Sequence, residues 1–470
     1  MIRPGERIHV IGIAGSGAAG AAALLQHAGA VVDGCDADGP SPYTPALDTA
    51  GIRWLPGHDP AHLDGVARVA ITPAVRAVPD HAELAAAGAR GIEVATWQEL
   101  LGELMAAPGR IGLGVTGTHG KSTTTALLGH LLVVAGLDPT VEVGAFVDAW
   151  GASVRAGEGA PFLVEADEFG DNFLNYHPAG AIVTNVEMDH PDYFADAEAV
   201  LVSFERFMRG MSSHHALGGR LLLLHATDPG ADELGRRLAG WDGRVIRYGP
   251  GGEAAATDLA FTPQTTAFTL FGTRFEMSLA GEHNVHNATA ALTLARSLGA
   301  DTQALVDGLR TFAGAGRRME LIADTPRVTI YDDYGHHPTE VLAALAAMRQ
   351  RVGPDRRLWA VFEPHMYSRT ALLMDAFSTA FTDANEVVIA DIFASRDTPE
   401  AMAATSAEDL ADAIERASGT PSIATGDAEA TTDYVAEHLG TGDAVLVMGA
   451  GKSYRIARGL AARLVGEDPS

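Results

Sequence analysis

Residues 115–122 read Val-Thr-Gly-Thr-His-Gly-Lys-Ser, directly after an apolar run and before the helix-like stretch 123–134. Glycines let backbone N–H groups turn toward phosphate oxygens, a lysine reaches the terminal phosphates, and a hydroxyl can ligate magnesium. Gly117, Thr118, His119, Gly120, Lys121, Ser122 and Thr123 are therefore the candidate nucleotide-phosphate site. The segment departs from the general G-x-x-x-x-G-K-S/T pattern in one place, since Val115 stands where the first glycine would fall. Lys121 and Lys452 are the chain's two lysines, so a chemistry that needs an ammonium has two candidates.

Further along, Val-Glu-Ala-Asp-Glu at 164–168 and Thr-Asn-Val-Glu-Met-Asp-His at 184–190 each end a strand-like run. In open parallel sheets ligands bind beyond the carboxyl ends of the strands, which directs both segments toward the phosphate loop. Ser122, Glu168 and His190 are then candidate ligands for Mg2+. Asn284 and Asn287 precede an alanine-rich helix at 288–298; their amides suit either an adenine edge or a helix cap. Tyr-Asp-Asp-Tyr-Gly-His-His-Pro at 331–338 gathers acid, phenol and imidazole at a strand end, and Arg369, in Glu-Pro-His-Met-Tyr-Ser-Arg-Thr at 363–370, can clamp a carboxylate or phosphate. Near the start, Gly12, Gly15, Ser16 and Gly17 form a dinucleotide-like turn, and Asp36 stands where a ribose-binding acid belongs. NAD is one of several pyrophosphate-containing nucleotides that such a turn admits.

These segments need strands that end together and helices that begin there. Short apolar runs at 7–12, 69–72 and 92–94, at 111–115, 162–165 and 181–184, and at 329–331, 358–362, 386–390 and 444–448 alternate with helical patterns such as 339–350. That alternation predicts an α/β fold of mainly parallel sheets flanked by helices. The Pro-Gly at 108–109 and the glycine-rich segment 311–316 divide the chain into three domains, 1–108, 109–311 and 312–470. A length of 470 residues fits about three domains.

Composition narrows the partners. A net charge of −27 argues against a broad nucleic-acid surface, which needs clustered cations. The sequence has no run of 18 apolar residues and no signal-peptide pattern at its start, so no membrane association is expected. Cys35 is the single cysteine, so no intrachain disulfide is possible and a cysteine-based metal cage is not expected; a reducing cytoplasm fits.

In this order the motifs resemble those of the Mur ligases of peptidoglycan assembly: Gly-x-x-Gly-x-Gly near the start, Gly-Thr-His-Gly-Lys-Ser, Glu-Ala-Asp-Glu, Thr-Asn-Val-Glu-x-Asp-His, His-Asn-x-x-Asn, Gly-Arg-Arg, Asp-Asp-Tyr-Gly-His-His-Pro and Pro-His-x-Tyr-Ser-Arg-Thr. The resemblance spans nearly the whole chain and implies, for the three domains in turn, a Rossmann-like, a P-loop ATPase and a Rossmann-like fold. It implies an ATP- and Mg2+-dependent amide ligase of cell-wall synthesis that works through an acyl phosphate. It further implies UDP-sugar binding by Gly12, Gly15, Ser16, Gly17, Asp36 and Thr72 in place of NAD, and adenine contact by Asn284 and Asn287. Arg317, Asp332 and Asp333 would reach the nucleotide, and Tyr334, His336, His365 and Arg369 the amino acid. Lys121, Glu168, His190, His336 and Arg369 form the implied catalytic set, with His336 as base.

Some branches hold a magnesium with a carbamylated lysine shortly after the Asp-His motif, but residues 194–211 contain no lysine. This favours the alanine-adding branch, whose substrates are UDP-N-acetylmuramate and L-alanine and whose assembly is expected to be a monomer or homodimer. Phe169-Gly-Asp-Asn-Phe in place of the commoner Ser-Asp-x-Ser-Phe, and Met366 where arginine is frequent, depart from the family pattern. The rival readings are a tripeptide-recycling ligase, an NAD-dependent oxidoreductase and a nucleotide-gated binding protein without chemistry.

Overall fold

The computed structural model describes residues 1–41, 43–76 and 78–465. The chain forms two compact units, one of residues 1–188, 196–255 and 287–311, the other of residues 189–195, 256–286 and 312 onward. No described helix is long and apolar enough to cross a membrane.

The first unit carries two sheets. Its N-terminal sheet is wholly parallel, in the order Arg53–Pro56, Val31–Asp36, Arg7–Ile11, Arg68–Ile71, Glu93–Thr96. One face buries Val10, Leu25, Val32 and Leu100, and the other buries Ile11, Val69, Ile71 and Ala87. Each such aliphatic side chain contributes about 1.5–3 kcal/mol when fully buried, which is why these short runs settle as two-sided strands. The order reverses beside Arg7–Ile11, and the glycine turn and helix Ser16–His27 follow at that point.

The second sheet runs Arg244–Tyr248, Leu221–His225, Gly180–Val183, Ile111–Thr116, Pro161–Glu165, Thr140–Val147, Ala152–Arg155, parallel except for the last pair. Ile111–Thr116 lies near its middle and is buried at every position. Val115 pairs with Glu165 inside the sheet, which explains the missing glycine: the strand runs on to Thr116 and the turn starts one residue later.

The second unit holds a six-stranded sheet in the order Glu320–Asp324, Val328–Asp333, Asp443–Met448, Leu358–Phe362, Glu386–Ala390, Ser422–Gly426, with only the first pair antiparallel. Helix Pro338–Val352 starts from a capping box of His337 and Glu340. A small antiparallel sheet, Thr257–Phe261, Thr266–Leu270 and Thr273–Met277, also belongs to this unit and has no counterpart in the sequence reading. The mainly parallel α/β class expected from the alternation is the one observed.

Candidate active site

Helix Lys121–Val134 begins where the central strand ends, with Gly120 as its N-cap at φ 79°. A Cβ on Gly120 would lie 2.9 Å from Asn287 Oδ1, and one on Gly117, at φ 132°, would lie 2.1 Å from Thr184 Oγ1. Glycine is therefore required at both places by backbone conformation and by close approach. The following segment clamps the loop: Asn185 Oδ1 accepts from His119 N at 2.8 Å, Thr184 Oγ1 donates to His119 O at 2.5 Å, and Glu187 N donates to Thr118 Oγ1 at 2.8 Å. Thr123 is buried in the first helical turn.

Lys121 Nζ donates to Gly117 O at 2.7 Å and to Glu168 Oε2 at 2.8 Å, with Asp167 3.5 Å away. Burial pulls its pKa down, and the Glu168 and Asp167 carboxylates more than offset this, so the ammonium is held above the ordinary lysine value. Ser122 Oγ donates to Glu165 Oε1 at 2.9 Å, and Glu165 Oε2 accepts from Gly144 N at 2.7 Å. Glu165 is thus the carboxylate that meets Ser122, a pairing that no motif in the sequence marks. Glu142 lies behind them, buried, and its carboxyl is pushed well above the usual range by burial and then by Glu165 and Asp167. Ser122 and Glu165 on one side and Asp167 and Glu168 around Lys121 on the other offer oxygen donors, the kind that a hard cation such as Mg2+ takes.

In the N-terminal sheet, Gly15 caps helix Ser16–His27 with no side-chain hydrogen bond, and the buried Ser16 hydroxyl has no partner. An open helix N-terminus with a spare hydroxyl suits a pyrophosphate. Gly17 packs on Trp97 and Gly12 against Thr72, so these three shape the turn by close packing. Asp36 braces the turn, its two oxygens accepting from Ala14 N and Asp38 N, each at 3.0 Å.

In the second unit, Arg317 donates to Asp332 Oδ2 at 3.0 Å, to Gly449 O at 2.7 Å and to Ser453 Oγ at 2.8 Å, and it lies 5.1 Å from the Tyr334 ring centre. Burial, opposed by Arg317, raises Asp332 to about 6, and its Oδ1 is buried without a partner. Asp333 instead spends its oxygens on Met319 N at 2.8 Å and Gly335 N at 2.7 Å. Of these two aspartates, Asp332 keeps one unpartnered oxygen and Asp333 holds the loop's backbone amides.

His336 Nδ1 sits 3.0 Å from Tyr334 O, which makes Nδ1 the protonated nitrogen and leaves the lone pair on Nε2. Burial lowers its pKa to about 4. His365, lowered to about 3 by burial and then by His336 and Arg369, accepts at Nδ1 from Arg369 at 2.9 Å. Arg369 is fully buried and also donates to Asp189 at 2.7 and 2.8 Å. The carboxylate clamp expected of Arg369 is therefore corrected: its guanidinium is committed to Asp189 and His365 and positions them. His190 follows Asp189 in a tight turn at φ 55°, its carbonyl accepting from Tyr193 N and Phe194 N at 2.9 Å. Asn284 donates to Ala280 O at 2.7 Å, a local helix-end bond.

The two departures from the family pattern are built in. Gly170 and Asp171 take φ of 64° and 59°, and Asp171 accepts from Arg206 at 3.0 Å, while Phe173 stacks on Phe207 with ring centres 4.6 Å apart. Met366 is buried at φ 69°.

Three family models match in sequence: the Mur ligase family catalytic domain over residues 7–108, the Mur ligase middle domain over 115–295 and the Mur ligase glutamate ligase domain over 317–451. The UDP-N-acetylmuramate–L-alanine ligase of Mycolicibacterium vanbaalenii is 38% identical, covering 98% of this chain and 96% of its own. That of Kineococcus radiotolerans is 40% identical, covering 95% and 93%. Among solved structures, the UDP-N-acetylmuramate-alanine ligase of Thermotoga maritima matches the fold with a TM-score of 0.80 at 22% identity, covering 98% of this chain and 100% of that one. A murein peptide ligase from Psychrobacter arcticus follows at 0.70 and 23%, covering 99% and 100%. With its phosphate loop, its strand-end acids and its three ordered model matches, this chain belongs to the Mur ligase family.

Proposed function

We propose that this protein joins L-alanine to the carboxylate of UDP-N-acetylmuramate at the expense of ATP, in the synthesis of peptidoglycan precursors. The observation that carries the reading is Lys121, held charged at a helix N-terminus between Gly117 O and the carboxylate of Glu168. The names of the full-length relatives support the choice of substrates.

A carboxylate oxygen of the muramic acid attacks the γ-phosphorus of ATP, ADP leaves, and an acyl phosphate forms. Lys121 and the loop amides from Gly117 to Thr123 offset the charge that spreads over the transferring group. Mg2+, when bound by Ser122 with Glu165 and Glu168, and with His190 as its proposed nitrogen ligand, supplies further neutralisation of the phosphate oxygens. The neutral amine of L-alanine then attacks the acyl carbon and phosphate leaves. His336, neutral with its lone pair on Nε2, takes the proton released by the new amide nitrogen. Its low basicity makes it a relay that passes the proton on to solvent.

In this scheme residues 1–108 hold the UDP-sugar through the Ser16 end of the first helix. Residues 109–311 hold ATP, and residues 312–470 bring the amino acid, with Tyr334, His336 and His365 nearest it. Arg317 and Asp332 serve the nucleotide. Substrates of this kind support a cytoplasmic location.

The fold match to a murein peptide ligase sustains one rival, a ligase that adds a preformed peptide to the same sugar carboxylate. Phosphate release from ATP with UDP-N-acetylmuramate, comparing L-alanine with L-Ala-γ-D-Glu-diaminopimelate, separates the two. Turnover with L-alanine alone is expected, and turnover with the tripeptide alone would overturn the proposal.

A further inference from the structure

Behind the N-terminal glycine turn, five separate segments bring imidazole, thiol and carboxylate groups to one buried point. His9 comes from strand Arg7–Ile11 and Cys35 from Val31–Asp36, while His62 comes from the short helix Pro60–Leu63 and Glu83 from helix Ala82–Arg90. His58 joins them from the loop before Pro60. His9, Cys35 and Glu83 are fully buried, in a sheet face otherwise made of aliphatic side chains.

Three of the distances match ligands around a shared centre, and the fourth, between His62 and Glu83, is a direct hydrogen bond. His9 Nε2 lies 3.3 Å from Cys35 Sγ and 3.6 Å from Glu83 Oε1; Cys35 Sγ lies 3.4 Å from Glu83 Oε1; His62 Nδ1 lies 2.7 Å from the same oxygen. Four atoms bound tetrahedrally to zinc, with bonds of roughly 2.0–2.3 Å, stand about 3.3–3.6 Å apart. One ligand atom from each of His9, Cys35, His62 and Glu83 falls within 4.8 Å of all the others. His9 also presents the support that metal-bound histidines use, since its Nδ1 lies 2.6 Å from Asp33 Oδ1, which fixes the ring and aims Nε2 at the cluster.

A hydrogen-bonded polar network leaves part of this arrangement unexplained. His81 is buried to more than nine-tenths, stands in ligand range of His58 and Glu83, and has no hydrogen-bond partner on either ring nitrogen. An unsatisfied buried imidazole is costly, so His81, in ligand range of His58 and Glu83, shows that the rim of the cluster still holds a polar side chain without a partner.

We propose that His9, Cys35, His62 and Glu83 form a tetrahedral site for a zinc-like divalent metal, distinct from the nucleotide-associated Mg2+, with Asp33 orienting His9 and with His58 and His81 closing its outer side. The mixed nitrogen and sulfur donors select a borderline transition metal over magnesium or calcium. Bound there, the metal ties helix Ala82–Arg90 and the Pro60–Leu63 turn to the two central strands. It also steadies Cys35, whose carbonyl accepts from Gly12 N at 2.8 Å and Ile13 N at 3.1 Å and so holds the glycine turn.

Cys35 is the only cysteine in the chain, so a sulfur signal reports this site alone. Tag-free full-length protein, stripped with a chelator and titrated with Co2+ in excess Mg2+, is expected to show a thiolate-to-cobalt charge-transfer band that saturates at one equivalent and is displaced by Zn2+. The band is lost in Cys35→Ser. In His62→Ala, where the replaced side chain is partly exposed and the fold is verified by circular dichroism, the loss of tight Zn2+ uptake tests the site without touching the thiol. Absence of the band in the wild-type protein, or zinc uptake in folded His62→Ala equal to wild type, would overturn the proposal.

Discussion

Lys121 Nζ and Glu168 Oε2 stand 2.8 Å apart, so the lysine already has a carboxylate partner where a phosphate is to arrive. The pairing keeps the ammonium charged and aimed along the loop before ATP binds. Lys121→Ala is expected to lower alanine-dependent phosphate release by about a thousand-fold, the scale of losing one preorganised charge stabiliser. Far-UV circular dichroism should show an intact fold. Activity within tenfold of wild type would remove Lys121 from the transfer step.

Glu142 gives a stability prediction with a definite sign. Its pKa is raised in the folded protein from the ordinary 4.5, by burial and then by Glu165 and Asp167. Below pH 4.5 both folded and unfolded chains carry the protonated acid and nothing is lost. As pH rises past 4.5 the unfolded chain releases the proton first, so stability falls until the folded pKa is reached. Glu142→Gln removes this penalty. Its melting temperature should exceed that of the wild type at pH 8 and converge with it near pH 4. A variant less stable at pH 8 than at pH 4, relative to wild type, would contradict the buried neutral carboxyl.

Much of the nucleotide site was legible because its chemistry is local. Gly117, Gly120, Lys121 and Ser122 sit in one turn between a buried strand and a helix, and both strand-end acids follow from where parallel strands stop. Glu142 was hidden inside an apolar strand, Thr140–Val147, where only the oddity of an acid in Thr-Val-Glu-Val signalled it. Arg369 was misread for the opposite reason: its burial is decided by Asp189, 180 residues away, and no periodicity encodes that partner. Asp36 and Asp333 also hold backbone amides of their own turns, a role that depends on the turn geometry and that no motif marks. The His9, Cys35, His62 and Glu83 cluster has no motif spacing because four different elements supply it.

Arg369 should therefore behave as a positioning residue. Arg369→Ala leaves the buried Asp189 without its cation, an event that costs about 3–5 kcal/mol where a buried pair is broken. Thermal denaturation should report a large drop. Arg369→Lys should recover little, because one ammonium cannot bond Asp189 and His365 together as the planar guanidinium does. A lysine variant with wild-type stability would show that charge alone suffices.

His336 separates the two halves of the reaction. Its pKa falls from 6.5 to about 4 on folding, chiefly through burial, so its stabilising contribution is complete above pH 6.5 and is lost as pH falls through 4. The full window is worth about 3 kcal/mol, and His336→Gln should flatten the acid side of the stability profile by a comparable amount. In catalysis the same variant should slow alanine-dependent turnover by about a hundred-fold or more, the range of a lost proton-transfer group. ADP formation trapped by hydroxylamine, which reports the acyl phosphate without the amino acid, should stay near the wild-type rate. Equal losses in both assays would assign His336 to the phosphoryl transfer and take the amine step away from it.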